Sequence, residues 1–168
     1  MLIVFSGMAG TGKSALSEQV AHRLRIPVFS VDRIESAILA AGLVRSFETG
    51  LASYHVVESL SDLQLSLGQS VIVDAVNAEE EAKSMWRALA LKHGATMRIV
   101  ECRCSDEALH RQRLQSRYRP WSGIPEPTWG QVQERRRAWS AWKEPAFLVD
   151  STNSLEDNLE EVLRWLGV

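Results

Sequence analysis

The sequence has little of what several protein classes require. It holds two cysteines in 168 residues, too few for a disulfide framework. Those two, Cys102 and Cys104, stand two apart in a predicted strand region and share a face, so a disulfide between them is disfavoured and buried, reduced thiols are expected. No Cys or His stands where it would complete a metal site with them. His22, His55, His93 and His110 are scattered and read as surface or packing residues. Neither sign of charge is in excess: 19 Lys and Arg against 21 Asp and Glu leave a net charge of −2, which removes the global electrostatic case for a nucleic-acid or membrane-surface protein. No apolar run approaches a membrane span, and the first residues lack the basic stretch of a secretory signal. A cytoplasmic protein without a membrane partner is expected. Repeats, low-complexity tracts and a Ser/His/Asp nucleophile arrangement are absent. The remainder, 45% hydrophobic and 24% charged, suits a single globular domain over 1–168. Tryptophan alone is abundant: there are six, four of them between 121 and 142.

What is present begins at residue 2. Leu2 to Ser6 form an apolar, predicted strand that runs into Gly7, Met8, Ala9, Gly10, Thr11, Gly12, Lys13 and Ser14. The spacing is G-x-x-x-x-G-K-[ST], the phosphate-binding P-loop pattern, between a strand and a helix as the pattern requires. Glycines let the backbone wrap phosphate oxygens. Lys13 brings a mobile positive charge, Ser14 a hydroxyl for Mg²⁺, and the following helix its positive dipole end.

Apolar runs alternate with helical periodicity along the rest of the chain. Strands are predicted at 2–6, 26–30, 70–74, 96–102 and 147–150, the second at an edge or beginning with Pro27. Helices are predicted at 13–25, through Ile34 to Ala41, at 51–67 with Val56, Leu60, Leu63 and Leu67 on its apolar stripe, at 78–93, from a Ser105 cap, at 128–142 and after Ser154; 43–50 reads as loop. Alternation of this kind predicts an α/β fold with a doubly wound, five-stranded parallel sheet and helices on both faces.

Ligands in such sheets bind beyond the carboxyl ends of the strands. Asp32 stands there, just past the second strand. A carboxylate in that place can accept the proton of an attacking hydroxyl, and Asp is also a preferred cap for a helix starting at Arg33; the roles are not exclusive. Asp74 closes the third strand, where a carboxylate holds Mg²⁺. Asn77 stands where it could contact substrate or cap the next helix, and the cap is the favoured reading. Arg111, Arg113, Arg117 and Arg119 lead into a loop with Pro120, Gly123, Pro125 and Pro127, and the segment 111–127 reads as an arginine-rich lid whose Arg113 and Arg117 neutralise phosphate charge. Arg33, Arg45 and Tyr54 are candidates to line an acceptor pocket. Arg135 to Arg137 between tryptophans would suit a single nucleic-acid strand, but core packing of the aromatics is the favoured reading. No NKxD-type guanine signature is present, which favours ATP.

Four pieces of the chain, GMAGTGKS (7–14), FSVDRIESAI (29–38), VIVDAVN (71–77) and CSDEALHRQRLQSR (104–117), resemble the P-loop kinases grouped as AAA-type ATP-binding domains, which include relatives of polynucleotide kinase, chloramphenicol phosphotransferase and zeta toxins. The resemblance implies the P-loop NTPase fold of small kinases and ATP with Mg²⁺. It implies Asp32 as catalytic carboxylate, Asp74 as the carboxylate after the third strand, and Arg113 and Arg117 as lid arginines. The Trp-rich stretch 120–142 lies outside it. The expected function is transfer of the γ-phosphate of ATP to a hydroxyl of a small molecule. A polynucleotide 5′-kinase and a regulatory ATPase without acceptor stand as alternatives.

Overall fold

The computed structural model describes residues 1–119 and 123–168. Five apolar runs form β1 (Leu2–Ser6), β2 (Val28–Ser30), β3 (Val71–Asp74), β4 (Met97–Arg103) and β5 (Ala146–Asp150). All pair in parallel, in the order β2-β3-β1-β4-β5. The helices are α1 (Lys13–Leu24), α2 (Val31–Ala40), α3 (Phe47–Ser66), α4 (Glu80–Lys92), α5 (Glu107–Gln115), α6 (Trp129–Arg137) and α7 (Leu155–Leu166). The α/β class and the five-stranded parallel sheet are as the sequence predicts. β2, which follows Pro27, lies at an edge.

β1 is the central strand and wholly buried. Its alternation divides the core. Leu2 and Val4 meet Val57 of α3 and Trp86 and Leu89 of α4, while Ile3 and Phe5 meet Leu16 and Val20 of α1 and Leu159, Val162 and Leu163 of α7. Burying one such side chain contributes roughly 1.5–3 kcal/mol, which explains an interior strand with no polar residue before Ser6. The Ser6 hydroxyl is satisfied in turn, donating to the Val76 carbonyl at 3.2 Å and accepting from Trp142 Nε1 at 3.2 Å. Both cysteines are buried and free.

Three helices differ from their predicted form. α3 starts at Phe47, inside the predicted loop, because Ser46 and Thr49 make a reciprocal capping box; a Thr in place of the usual Glu or Gln hides it in the sequence. The buried face of α3 is Thr49, Ser53, Val57, Ser61 and Leu65, whereas Val56, Leu63 and Leu67 of the predicted stripe are exposed. Small residues at four-residue spacing let α3 sit close to its neighbours, and the larger apolar ones are turned outward.

α6 ends at Arg137 instead of 142. Beyond it the chain is held by Lys83 of α4, which is completely buried. Its ammonium donates to the Ser140 carbonyl and to Ser140 Oγ, and lies 5.0 and 5.4 Å from the rings of Trp139 and Trp142. A buried ammonium must be given acceptors, and a carbonyl bonded within a helix would be a poorer one. The α5 cap is Asp106, which accepts from the Leu109 N–H, and not Ser105.

Candidate active site

β1 leads into α1 on one face of the sheet and β3 into α4 on the other. Connections that part in this way open a crevice beyond the strand ends, and the P-loop fills it. The register sets Asp74 level with Phe5, so the carboxylate ends its strand beside the start of the loop. Gly7, Gly10 and Gly12 have φ of +148°, +85° and +78°. Thr11 ties the turn by donating its hydroxyl to the Met8 carbonyl at 2.8 Å. No side chain caps α1 among the described residues, so its first N–H groups remain available to an anion. His110 of α5, which is buried, donates from Nε2 to the Ala9 carbonyl at 2.8 Å and meets Trp129 edge-on at 5.1 Å. It is a packing residue, and it fixes the P-loop from outside.

A cleft of about 360 Å³ runs from the P-loop to the segment after β5. Gly10 to Leu16 line one wall, and Ser151, Asn153, Leu155 and Asn158 the other. Arg113 and Arg117 also line it. Arg113 is held by the Ser151 carbonyl at 2.8 Å and its hydroxyl at 2.9 Å. α5 stops at Gln115, so Arg117 follows the helix; the two arginines nevertheless reach the same cleft. Arg111 is exposed and lines a shallow outer groove instead. Ser151, Asn153 and Asn158 carry no recognisable motif and were not singled out in the sequence.

Asp150 organises that far wall. It accepts from Ser105 N at 3.2 Å, Thr152 N at 3.1 Å and Thr152 Oγ1 at 3.0 Å. Burial pushes its pKa up, but these donors outweigh burial and bring it from 3.8 to about 2. Stability from this carboxylate is therefore complete above about pH 4 and lost as pH falls through 2. Asp150→Asn, which keeps a neutral acceptor, is expected to cost about 1 kcal/mol at pH 7. The difference from wild type should close between pH 4 and 2 in urea titrations. A constant difference across that range would contradict the assignment.

Asp32 lies in the first turn of α2, whose cap position is Ser30. The capping role open to Asp32 in the sequence is therefore not the one it takes. Its carboxylate accepts from Arg119 Nη1 at 2.7 Å, with Arg117 Nη2 at 4.0 Å. Glu126 holds the same two arginines, at 2.6 Å to Arg119 and 3.2 Å to Arg117. Burial alone would raise the Asp32 pKa, but Lys13, Arg119 and Arg117 together hold it below the usual carboxylate value. Arg119 was read in the sequence only as one of a basic cluster; its contact across 87 positions leaves no local signal.

Asn77 is not a cap either: Glu79 occupies that position of α4. Asn77 is buried with φ +54°. Its amide donates to the Phe5 carbonyl at 3.2 Å and accepts from Trp86 Nε1 at 2.8 Å, so it locks the turn after β3 against β1. The Asn77 N–H donates to the Tyr54 hydroxyl at 3.3 Å. Burial raises that phenol to about 12, with Asp32 and Asp74 adding to the rise, so Tyr54 stays protonated on the rim they share. Arg33 pairs with Glu18 at 2.8 Å and Arg45 with Glu35 at 3.3 Å. Arg135, Arg136 and Arg137 form the exposed last turn of α6, where cations complement the helix dipole. Residues 120–122 of the expected lid, Trp121 among them, lie outside the described residues.

Lys13 Nζ is 3.9 Å from Asp74 Oδ1, both nearly inaccessible. That oxygen has no hydrogen-bond partner among the described residues, the condition of a carboxylate that serves a cation or its water. No cluster of three or more His, Cys, Asp or Glu could hold a metal by itself among the described residues. Mg²⁺ fits this place in its usual manner, by a single carboxylate, the Ser14 hydroxyl and nucleotide phosphates.

Comparison with known proteins agrees with this geometry. The AAA domain family model matches residues 2–139. A protein from Chloroflexus aurantiacus has a similar fold, at TM-score 0.79 and 19% identity, over 97% of this chain and 96% of that one. The APS kinase of Mycobacterium tuberculosis, solved with AMPPNP and APS, is similar at TM-score 0.71 and 19% identity over 99% and 97% of the two chains. A gluconokinase from Sinorhizobium meliloti follows at TM-score 0.71 and 16% identity over 98% and 90%. At these identities the likeness is one of fold. No helix among the described residues is long and apolar enough to cross a membrane.

Proposed function

The chain belongs to the AAA domain family, and from that premise we propose that it is a kinase moving the γ-phosphoryl group of ATP to a hydroxyl of a small-molecule acceptor. One observation carries the reading. Arg117 lines the P-loop cleft and also stands 4.0 Å from the Asp32 carboxylate, so one side chain joins a nucleotide half and an acceptor half. The kinases of similar fold, one solved with an ATP analogue and a small acceptor, support the class.

Phosphoryl transfer asks mainly for positioning and charge neutralisation. The P-loop amides and the α1 N-terminus hold the β- and γ-phosphates, and Lys13 follows the charge as it moves. Arg113 covers the far end of the nucleotide, and Arg117 the phosphates. When bound at Ser14 and Asp74, Mg²⁺ supplies further neutralisation of the phosphate oxygens. Asp32 accepts the hydrogen bond of the attacking hydroxyl and takes its proton. Tyr54 lines the acceptor pocket, while Arg33 and Arg45 would leave their carboxylate partners to reach it. Residues 111–127 act as the lid.

The test is an ATP-consumption screen over hydroxyl-bearing metabolites and antibiotics. One acceptor class should stimulate turnover, and Lys13→Ala should lower the stimulated rate about 10³-fold with an unchanged far-UV spectrum. Hydrolysis that no acceptor stimulates would favour the regulatory ATPase. Oligonucleotide binding with a steep salt dependence would favour the polynucleotide 5′-kinase.

A further inference from the structure

We propose that Arg119 is a positioning residue that keeps water from serving as the phosphoryl acceptor: it holds the Asp32 carboxylate until an acceptor hydroxyl displaces it. On the kinase reading above, with Asp32 as the base, on which this assignment rests, the two fates of ATP differ only in the attacking oxygen. In transfer an acceptor oxygen bonds to the γ-phosphorus, and in hydrolysis a water oxygen does. In both, the bond to the bridging oxygen of ADP breaks and Asp32 takes the proton. A carboxylate always ready for a proton would serve water as well as the acceptor.

Asp32 is not ready in this structure. Arg119 Nη1 donates to Asp32 Oδ2 at 2.7 Å, and Arg117 Nη2 stands 4.0 Å from the same oxygen. Against the rise that burial brings, Lys13, Arg119 and Arg117 hold the Asp32 pKa down, so the paired carboxylate is a poor base. Burial does not shield it: the Asp32 side chain is 28% exposed, and water reaches it, whereas that of Arg119 is 8% exposed. Exposed ion pairs contribute little, but this one is sheltered on the arginine side and anchored. The Gly123 N–H donates at 3.3 Å to Ser36 Oγ, one turn beyond Asp32 in α2, and Ile124 is buried. These contacts fix the stretch that brings Glu126 to the pair.

Glu126 makes the hold reversible. It accepts from Arg119 Nε at 2.6 Å and from Arg117 Nη1 at 3.2 Å. When Arg119 releases Asp32 it keeps a carboxylate, so no sheltered charge is left without a partner. Displacement then costs one charge-assisted hydrogen bond. A bound acceptor has contacts elsewhere in its pocket that offset this cost, as the binding of a correct substrate drives rearrangement in induced fit. Water has no such contacts and meets the pair intact.

The experiment follows phosphate release from saturating ATP and Mg²⁺ with no acceptor present, the Lys13→Ala rate serving as the blank. Wild type, Arg119→Ala, Arg119→Gln, Arg119→Lys, Asp32→Asn and the Asp32→Asn/Arg119→Ala double variant are compared, with ATP affinity and thermal melting measured for each. Arg119→Ala should hydrolyse ATP about tenfold faster than wild type, the lower end for a hydrogen bond to a charged group. Arg119→Gln, which loses the charge and keeps most of the bulk, should also be faster, and carries the test should the alanine variant fail to fold. Arg119→Lys, which keeps a cation for Asp32, should stay near the wild-type rate. The double variant should fall back to the rate of Asp32→Asn, because the gain runs through Asp32. An unchanged or lower rate in the folded Arg119→Ala or Arg119→Gln variant, with ATP still bound, overturns the proposal. So does a gain that persists in the double variant, since Arg119 would then exclude water by bulk alone. Failure of the wild type to bind ATP overturns the kinase reading itself, a result distinct from ATP binding with an unchanged rate.

Discussion

Asp32→Asn is expected to lower kcat for transfer to the acceptor that the screen identifies by 10²- to 10⁴-fold, with ATP affinity changed by less than about threefold. The asparagine keeps the shape of the side chain and can still accept from Arg119, which lies 2.7 Å from the native carboxylate. It cannot take a proton, and Arg117 and Arg119 then meet a neutral amide in place of the Asp32 carboxylate. The P-loop is untouched, so the loss should fall on kcat for transfer and spare nucleotide binding. The pH profile carries an independent sign. Lys13, Arg119 and Arg117 hold the Asp32 pKa below its ordinary value of 3.8 despite burial, so Asp32 is ionised throughout the neutral range. Activity that depends on it is present above that pKa and lost below it. No acid limb from Asp32 should appear between pH 5 and 8. A low pKa makes a weak base, which suffices where the transition state is loose and the proton leaves late. Full transfer by Asp32→Asn, measured as acceptor-dependent ADP release, would remove Asp32 from the chemistry; an acid limb centred between pH 5 and 7 would give the proton to another group.

The features legible in the sequence were those with a local cause. β1 and the P-loop announce themselves because an apolar run and glycines at fixed offsets are needed within a few residues of each other. The alternation of strands and helices along the chain was legible for the same reason. Features with distant causes were not. α6 ends where Lys83, 57 positions away from Ser140, captures a carbonyl. α3 buries Ser53 and Ser61 and turns Leu63 and Leu67 outward, so hydrophobic periodicity pointed to the wrong face. Asn77 reads as a cap by residue type, but its positive φ and its bonds to Phe5 and Trp86 belong to tertiary packing. Asp32 was legible in the sequence by its place after the second strand, but its partner was not. Arg119 stands 87 positions further along the chain, and the pairing exists only in the folded protein, where Asp32 and Glu126 share two arginines.

Gly7→Ala is expected to unfold the protein or to destabilise it by roughly 3 kcal/mol or more. A Cβ at Gly7 would stand 2.4 Å from the Cys102 carbonyl oxygen and 2.9 Å from Thr11 Oγ1, at a φ of +148°. Neither neighbour can retreat. Cys102 lies in β4, which pairs with β1 on one side and β5 on the other, and the Thr11 hydroxyl is tied to Met8. Two other glycines separate the contributions. Gly42 has φ +97° with nothing within 4 Å of a built Cβ, so Gly42→Ala should cost only backbone strain, about 1–2 kcal/mol. Gly12 has φ +78° and an ordinary 3.5 Å contact with Ser151 Cβ, so Gly12→Ala should lose stability as Gly42→Ala does but lose nucleotide affinity as well. Urea titration of the three variants, with ATP binding measured on those that fold, decides the matter. If Gly7→Ala unfolds at the same urea concentration as Gly42→Ala, the clash with β4 is relieved in a way the sheet does not suggest. The expected ranking separates two demands within one motif. The last glycine before Lys13 keeps the loop open to phosphate, whereas the first is required by the fold, because β1 can pass into the P-loop only by touching the backbone of β4.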